Sequence, residues 1–517
     1  MDGPPARPTA AGATMGAAGP LLTLLLLLPL SAAAPPSPPP PGCDPRAAPI
    51  AGGWAEAEAG GGALRYRCPP GAAPFPLRRR RCRPDGRWEP LPGGAAPRCR
   101  VLECPAPLEF EHGAFWPRGG RHGPGSRLNF TCYAGFTLRG PRTRVCGLSG
   151  KWDGTNPVCD DGAGACPAPG VPPGATKEGR GAGVESRVRY RCRPGLRLLG
   201  SAERVCTEGG AWSGTEPSCR DPLSFDTPEE VASSFLASLT QTVEVAEANG
   251  TLGATEKRRI RLAPGAPLNV YLVLDASSSV SERDFAQARD ALQQLVEKIS
   301  SYGAAPRYGI ITFGTEARVE LSPLDPRSGR ADAVGALLAA LPPNAHALKP
   351  GTNPHAALRA VYELLVQQER AERSRGLDPA PVTTSTRHVL VIMTDGRVNM
   401  GGSPTPVLGQ IRELLSIGRD PRNDREDFLD VYAFGLGELV HMETLNALAS
   451  HKDNEQHVFV LRDLADLQET FHRMIGEPDA GAPGRTPPGT PRGHPTRPGA
   501  QASGTPTPRP CGRPSTA

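Results

Sequence analysis

The chain has 517 residues, 13 cysteines, 61 glycines, 60 prolines and a formal net charge of +5. That length calls for several domains, at about 100–200 residues each. So small a charge over such a length, with aromatics at only 5%, argues against a nucleic-acid binder that works through basic patches and base stacking.

Residues 1–34 read as a secretory signal. Leu21–Leu30 is a leucine-rich core too short to span a bilayer, and Ser31, Ala32, Ala33 and Ala34 suit a cleavage site. Met15 offers an alternative start to Met1. No later segment approaches the roughly 18 continuous apolar residues of a membrane span, so none is expected. A secreted, extracellular chain keeps its cysteines in an oxidising compartment, and the sequons at Asn129 and Asn249 agree with that address.

Twelve cysteines fall into three sets of four: Cys43, Cys68, Cys82, Cys99; Cys104, Cys132, Cys146, Cys159; and Cys166, Cys192, Cys206, Cys219. The second and third of each set are 14 apart, a tryptophan (Trp88, Trp152, Trp212) stands six residues past the third, and an aromatic (Tyr66, Phe130, Tyr190) stands two before the second. This is an internal repeat of about 60 residues. A unit so small buries too little apolar area alone, and two disulfides offset the deficit by about 2–4 kcal/mol each. "YRC", "FTC" and "YRC" between Gly/Pro clusters read as short strands. Zinc is the competing reading of the cysteines, but the spacings lack close C-x₂₋₄-C pairs and secretion favours disulfides. Four cysteines permit three pairings, and spacing leaves the choice open.

These repeats resemble complement control protein (sushi) modules, with boundaries at 41–101, 102–161 and 164–221. The resemblance implies first-to-third and second-to-fourth pairing: Cys43–Cys82, Cys68–Cys99, Cys104–Cys146, Cys132–Cys159, Cys166–Cys206 and Cys192–Cys219. The first repeat departs in its longer last interval and in "RRRRCR" (78–83), which reads as a solvated strand edge or, alternatively, a polyanion-binding patch.

Residues 222–267 are expected to form a helical linker. Thr227 is placed as N-cap, Pro228 at the first helical position and Glu230 closes a capping box. "GATEKRRIRLAPG" (253–265) then reads as an exposed, flexible stretch. From 268 to 475 the cysteines vanish and strands alternate with helices. The runs 268–275, 308–313, 388–395 and 428–435 read as buried parallel strands. Phe285, Ala288, Leu292, Leu295, Val296 and Ile299 line one face of a helix. The pattern indicates a doubly wound α/β domain, a fold that binds ligands at the strand C-terminal ends.

At those ends stand Asp275, Ser277 and Ser279 in D-x-S-x-S, Thr352 before a helix, and Asp395 after another apolar strand. Carboxylates and hydroxyls are the ligands that Mg²⁺ prefers, and the set holds no imidazole or thiol. Asp and Ser after a strand also serve as plain turn and cap residues; it is the three-loop combination that points to a metal. A nucleotide site at Gly435-x-Gly437 is disfavoured because the third glycine of that motif is missing. The combination resembles the von Willebrand factor type A domain and its metal-ion-dependent adhesion site, which implies Mg²⁺, or Mn²⁺ in its place, held by Asp275, Ser277, Ser279, Thr352 and Asp395.

Three sushi modules, a linker helix and one type A domain resemble the family of complement factor B and the second complement component. The resemblance implies Mg²⁺-dependent binding to the activated third complement component and cleavage by factor D between Arg258 and Arg259. A classical-pathway role like that of the second component, and a secreted adhesion or matrix protein using the same metal site, are the alternatives. Members of the family are serine protease zymogens. Here residues 476–517 hold 11 Pro and 8 Gly and no Leu, Val, Phe, Tyr or Trp, which predicts a disordered tail containing the odd Cys511. No catalytic His-Asp-Ser set with an oxyanion-hole glycine motif is found, so a non-catalytic chain is expected.

Overall fold

The computed structural model describes residues 43–58, 62–179, 181–243, 267–278, 280–301, 305–343, 346, 351–374, 386–394, 398–418, 425–437, 440–452 and 455–476. The expected signal segment, Asn249, Arg258, Arg259, Ser279, Asp395 and the tail after 476 lie outside the described residues. Two compact units divide the chain, Met1–Val101 and Leu102–Ala517.

In the first unit Ala63–Arg67 is the centre of a three-stranded antiparallel sheet, between Trp54–Ala57 and Arg79–Arg81, and Ala72–Phe75 pairs with Arg98–Val101. Strand alternation turns Leu64 and Tyr66 into the core with Ala48 and Ile50. The basic run supplies an edge strand, where Arg79 pairs with Glu58 at 2.7 Å and Arg80 donates to the Glu89 carbonyl. Charged side chains on an edge also discourage pairing with other chains.

The second and third repeats follow the same plan. Gly113–Trp116, Arg127–Cys132 and Thr143–Val145 form one sheet, with Thr137–Arg139 beside Val158–Asp160. Ala175–Glu178, Arg187–Cys192 and Glu203–Val205 form the other, with Arg197–Leu199 beside Ser218–Arg220. The disulfides are Cys43–Cys82, Cys68–Cys99, Cys104–Cys146, Cys132–Cys159, Cys166–Cys206 and Cys192–Cys219, the pairings that the resemblance implies. The periodic tryptophan has a constant partner. Trp88, Trp152 and Trp212 each donate the indole N–H to the carbonyl just past the repeat's first cysteine, at Asp44, Pro105 and Pro167 (3.0, 2.7 and 2.7 Å). A second regularity escaped the sequence reading: Arg80, Arg144 and Arg204, each two residues before the third cysteine, donate to carbonyls at or near that tryptophan.

The α/β domain begins earlier than its first strand. Glu230 N–H donates to Thr227 Oγ1 (3.3 Å) and Thr227 N–H to the Glu230 carboxylate (2.9 Å), a complete capping box. The helix it starts, α1 (Pro228–Val243), buries Val231, Phe235 and Leu239 in the domain core. It is followed by β1 (Pro267–Asp275), α2 (Glu282–Ser300), β2 (Ala305–Phe313), β3 (Ala317–Leu321), α3 (Ala331–Ala340), α4 (Pro354–Arg373), β4 (Arg387–Thr394), α5 (Thr405–Leu414), β5 (Leu429–Leu436), α6 (Met442–Leu448), β6 (Val458–Leu461) and α7 (Leu464–Gly476). The sheet order is β3-β2-β1-β4-β5-β6, parallel throughout except for β3, which runs antiparallel to β2 at the edge. β3 and β6 are strands that the apolar runs did not reveal.

Helices cover both faces. Leu268, Val270, Leu272 and Leu274 of β1 pack with α1, α2, α3 and α7, while Tyr271 and Val273 pack with α4, α5 and α6. Burial on both sides is why the strand is apolar at nearly every position. The six residues assigned to the buried face of α2 all lie in that core.

Candidate metal centre

Parallel strands place their C-terminal ends on one edge of the sheet. β1 ends at Asp275, in register with Phe313 at the end of β2, and Leu274 pairs with Met393 next to the end of β4. The loops leaving this edge are tied together. Ala276 N–H donates to the Phe313 carbonyl at 2.8 Å, Asn353 N–H to Gly314 at 2.9 Å, and Asn399 N–H to Thr352 at 3.3 Å. The chain thus brings Asp275, Ser277 and Thr352 to the same edge, and all three are almost completely buried, at 3%, 2% and 2% exposed.

The acidic group is oriented from two sides. Asp275 Oδ1 accepts the Ser277 N–H at 3.0 Å, and Oδ2 accepts the Thr394 hydroxyl at 2.8 Å. Thr352 is pinned by Asn399, whose Oδ1 accepts its N–H at 2.9 Å. Thr315 fixes the residues on either side: its Oγ1 accepts from Gly351 and its carbonyl from Asn353 Nδ2, at 2.9 and 3.0 Å. Asn353 Oδ1 also accepts the Ala356 N–H at 3.0 Å, capping α4, which opens with Pro354. Thr394, Asn399 and Thr315 were not singled out in the sequence. Their signal was present only as position: Thr394 is adjacent to Asp395, and Asn399 lies four residues further on.

A buried carboxylate beside hydroxyl oxygens is the kind of donor set that a hard divalent cation takes. Supporting hydrogen bonds orient such ligands and tune affinity. The fit rests on Asp275, Ser277 and Thr352; Ser279 and Asp395 lie outside the described residues.

A second group of potential ligands, Asp430, Glu455 and His457, lies at the opposite, N-terminal edge of β5. Asp430 Oδ1 already accepts from Lys452 Nζ and from His457 Nε2 (3.2 Å). Burial opposes its ionisation, but the Lys452 ammonium and His457 hold its carboxyl down to about 2. With a lysine cation seated on the carboxylate, this is an ion-pair network. Gly435, from the disfavoured nucleotide motif, sits inside β5 against Leu445 and Val440 and opens no phosphate loop.

Comparison with known proteins agrees with this architecture. The von Willebrand factor type A domain family matches residues 269–473, and the sushi (SCR) repeat family matches 104–159 and 166–219. Complement factor B of Bos taurus is 44% identical over 443 residues, covering 84% of this chain and 57% of its own. Complement C2 of Bos taurus is 39% identical over 424 residues, covering 80% of this chain and 55% of its own. The chain therefore spans a little over half the length of these relatives. Among solved structures, proximal thread matrix protein 1 of the mussel byssus with a zinc-occupied MIDAS motif overlaps 41% of this chain and 48% of its own at 15% identity, with a TM-score of 0.30, too low to support any inference about the site. The chain joins sushi repeats to a von Willebrand factor type A domain, and over most of its length it is similar to complement factor B and complement C2.

Proposed function

We propose that this chain is a secreted complement protein of the factor B type, which binds the activated third complement component through a Mg²⁺ ion held by Asp275, Ser277, Ser279, Thr352 and Asp395, with the sushi repeats contributing to the contact. The observation that carries the reading is the buried Asp275, hydrogen-bonded to Ser277 and Thr394 at the C-terminal strand edge of the α/β domain, in a chain 44% identical to factor B over 443 residues. A bound Mg²⁺ would supply an electrophile with a position for a partner's carboxylate. The protein's own groups do the rest: Thr394 and the Ser277 N–H fix the Asp275 carboxylate, and Asn399 holds Thr352 in place. Processing by factor D between Arg258 and Arg259 belongs to the same reading and is tested by the masses of the fragments released from the complex.

The deciding experiment is binding of the purified chain to immobilised activated third component, in Mg²⁺ and then in EDTA. Binding is expected in Mg²⁺ and absent in EDTA. Asp275→Ala should abolish the Mg²⁺-dependent signal, and Thr394→Val should weaken metal affinity by about 10–100-fold, the usual consequence of losing a group that orients a ligand. Binding that is equal in Mg²⁺ and EDTA would overturn the metal-centred reading. No binding in either would move the site's ligand to another acidic partner.

A further inference from the structure

The solvent face of the second repeat carries a tryptophan left largely uncovered by the described residues. Trp116 is 70% exposed, more than any other large apolar residue described. It stands directly opposite Asn129 in the antiparallel pair formed by Gly113–Trp116 and Arg127–Cys132. The neighbouring pair, Phe115 and Phe130, points inward, and Phe130 is 3% exposed. Asn129 is exposed and lies on the central strand, with Trp116 on one side and Thr143 on the other. Its Oδ1 accepts the Thr143 hydroxyl at 2.7 Å. That bond engages the amide oxygen and not Nδ2, the atom that a sugar would take. Asn129 also opens the tripeptide Asn129-Phe130-Thr131, which satisfies the N-glycosylation requirement.

We propose that Asn129 carries an N-linked oligosaccharide whose first sugar lies on the Trp116 ring, so that the indole is a platform for the chain's own glycan. The inference rests on the secreted reading above, because only a chain entering the secretory route meets the donor. In the transfer, Asn129 Nδ2 forms a bond to the anomeric carbon of a lipid-pyrophosphate-linked oligosaccharide. The bond from that carbon to the pyrophosphate oxygen breaks, the lipid pyrophosphate leaves, and one amide proton is released. Directly opposed residues in such a pair have Cβ atoms about 4.5–5.5 Å apart, which sets the sugar's apolar C–H face over the ring. An indole offers a large apolar area with a polarised π face, and covering it removes a solvent-exposed patch of the kind that otherwise invites association.

The test uses the full secreted chain. Peptide mass spectrometry reads the occupancy of Asn129, and hydroxyl-radical footprinting reads the oxidation of Trp116 against Trp54, which is 51% exposed in the first repeat and serves as reference. Native chain is compared with Thr131→Ala, which removes the acceptor sequence and leaves both Asn129 and Trp116. The expected result is an occupied Asn129 and a severalfold slower oxidation of Trp116 in the native chain than in T131A, with Trp54 unchanged. In Trp116→Ala, N-glycosidase should release the Asn129 sugar from the folded chain faster than it does from native chain. An unoccupied Asn129 overturns the proposal. An occupied Asn129 with equal Trp116 oxidation in both chains overturns the platform and leaves the glycosylation standing. Neither result bears on Mg²⁺-dependent binding, which the preceding experiment reads separately.

Discussion

His388 is the most demanding single residue in the α/β domain. It sits in β4 at 2% exposure, stacked beside Tyr271 with ring centroids 6.2 Å apart. Among the described residues neither ring nitrogen has a hydrogen-bond partner. Burial disfavours the imidazolium and pushes its pKa down from 6.5 to about 3. The unfolded chain therefore takes up a proton below about pH 6.5 that the folded chain refuses. Stability is present in full above that pH and is lost as pH falls from 6.5 toward 3, by up to about 1.4 kcal/mol per pH unit. His388→Leu should flatten this part of the profile, as read by urea denaturation at pH 7, 6, 5 and 4. An unchanged slope would show that other groups set it. At Asp275 the same scale tells a different story. The carboxylate, the serines and Thr352 were legible as a motif because hydroxyls and acids after apolar strands are unusual in number. Thr394 was not, since a threonine at a strand end is ordinary until the fold brings it to Asp275 across 119 positions.

At the scale of elements, α1 is the instructive case. Its N-terminus was readable, since a capping box is a local pattern of four residues. Its destination was not. The expectation of a linker over 222–267 came from the polar, basic stretch after the helix, whereas the helix itself carries Phe235 into a ring of Tyr432, Phe434, Phe459 and Phe471, with centroids 4.7, 5.4, 6.1 and 6.0 Å away. Phe235→Ala should cost about 3–5 kcal/mol, the range for truncating a buried aromatic. Thr227→Ala should cost about 1 kcal/mol, the value of a cap. Urea midpoints of the α/β domain test both, and a Phe235→Ala loss no larger than that of the cap would refute a core role for α1. The same limit explains β3 and β6. β3 has the pattern of an exposed edge, and β6 is a buried apolar run of only four residues, at the short limit where such a run is told from a helix segment with difficulty.

Across the second compact unit, sushi repeats and α/β domain are joined by buried polar contacts. Asp226 is 2% exposed. It accepts from Lys151 of the second repeat at 2.8 Å, from Arg220 at the end of the third at 2.7 Å, and from the backbone of Val460 in β6 at 2.8 Å. Burial opposes its charge, yet Arg220 and Lys151 outweigh that and hold the carboxyl well below the usual carboxylate range. Asn446 of α6 exchanges hydrogen bonds with Leu198 and Gly200 (3.0 and 3.1 Å), and Thr215 donates to Lys452 at 3.0 Å. Removing the carboxylate leaves two cations largely buried without it, so Asp226→Ala should cost about 3–5 kcal/mol. It should also split a shared calorimetric transition into separate sushi and α/β transitions. A single, unshifted transition would count against the coupling. With a folded pKa below the unfolded one, Asp226 contributes stability above about pH 4 that is lost as pH falls further, and the native chain should lose this coupling in acid. Among the described residues no helix is long and apolar enough to cross a membrane.

Sequence alone determined what is periodic or local. The spacing of cysteines and tryptophans marked three small β units, the two-sided apolar runs marked a parallel sheet, and Asp275, Ser277 and Thr352 were read at the strand-end edge where the fold places them. These signals survive in one dimension because a strand, a cap or a repeat is specified by neighbours within a few tens of residues. Only the tertiary structure decided which side chains serve the others. Lys151 and Asp226 are 75 positions apart, Asp226 and Val460 are 234 apart, and Thr394 reaches Asp275 across 119. Each such pair is chosen by how whole elements pack, where burying a charge or hydroxyl is tolerable only with its partner in place. No spacing rule within the chain carries that information.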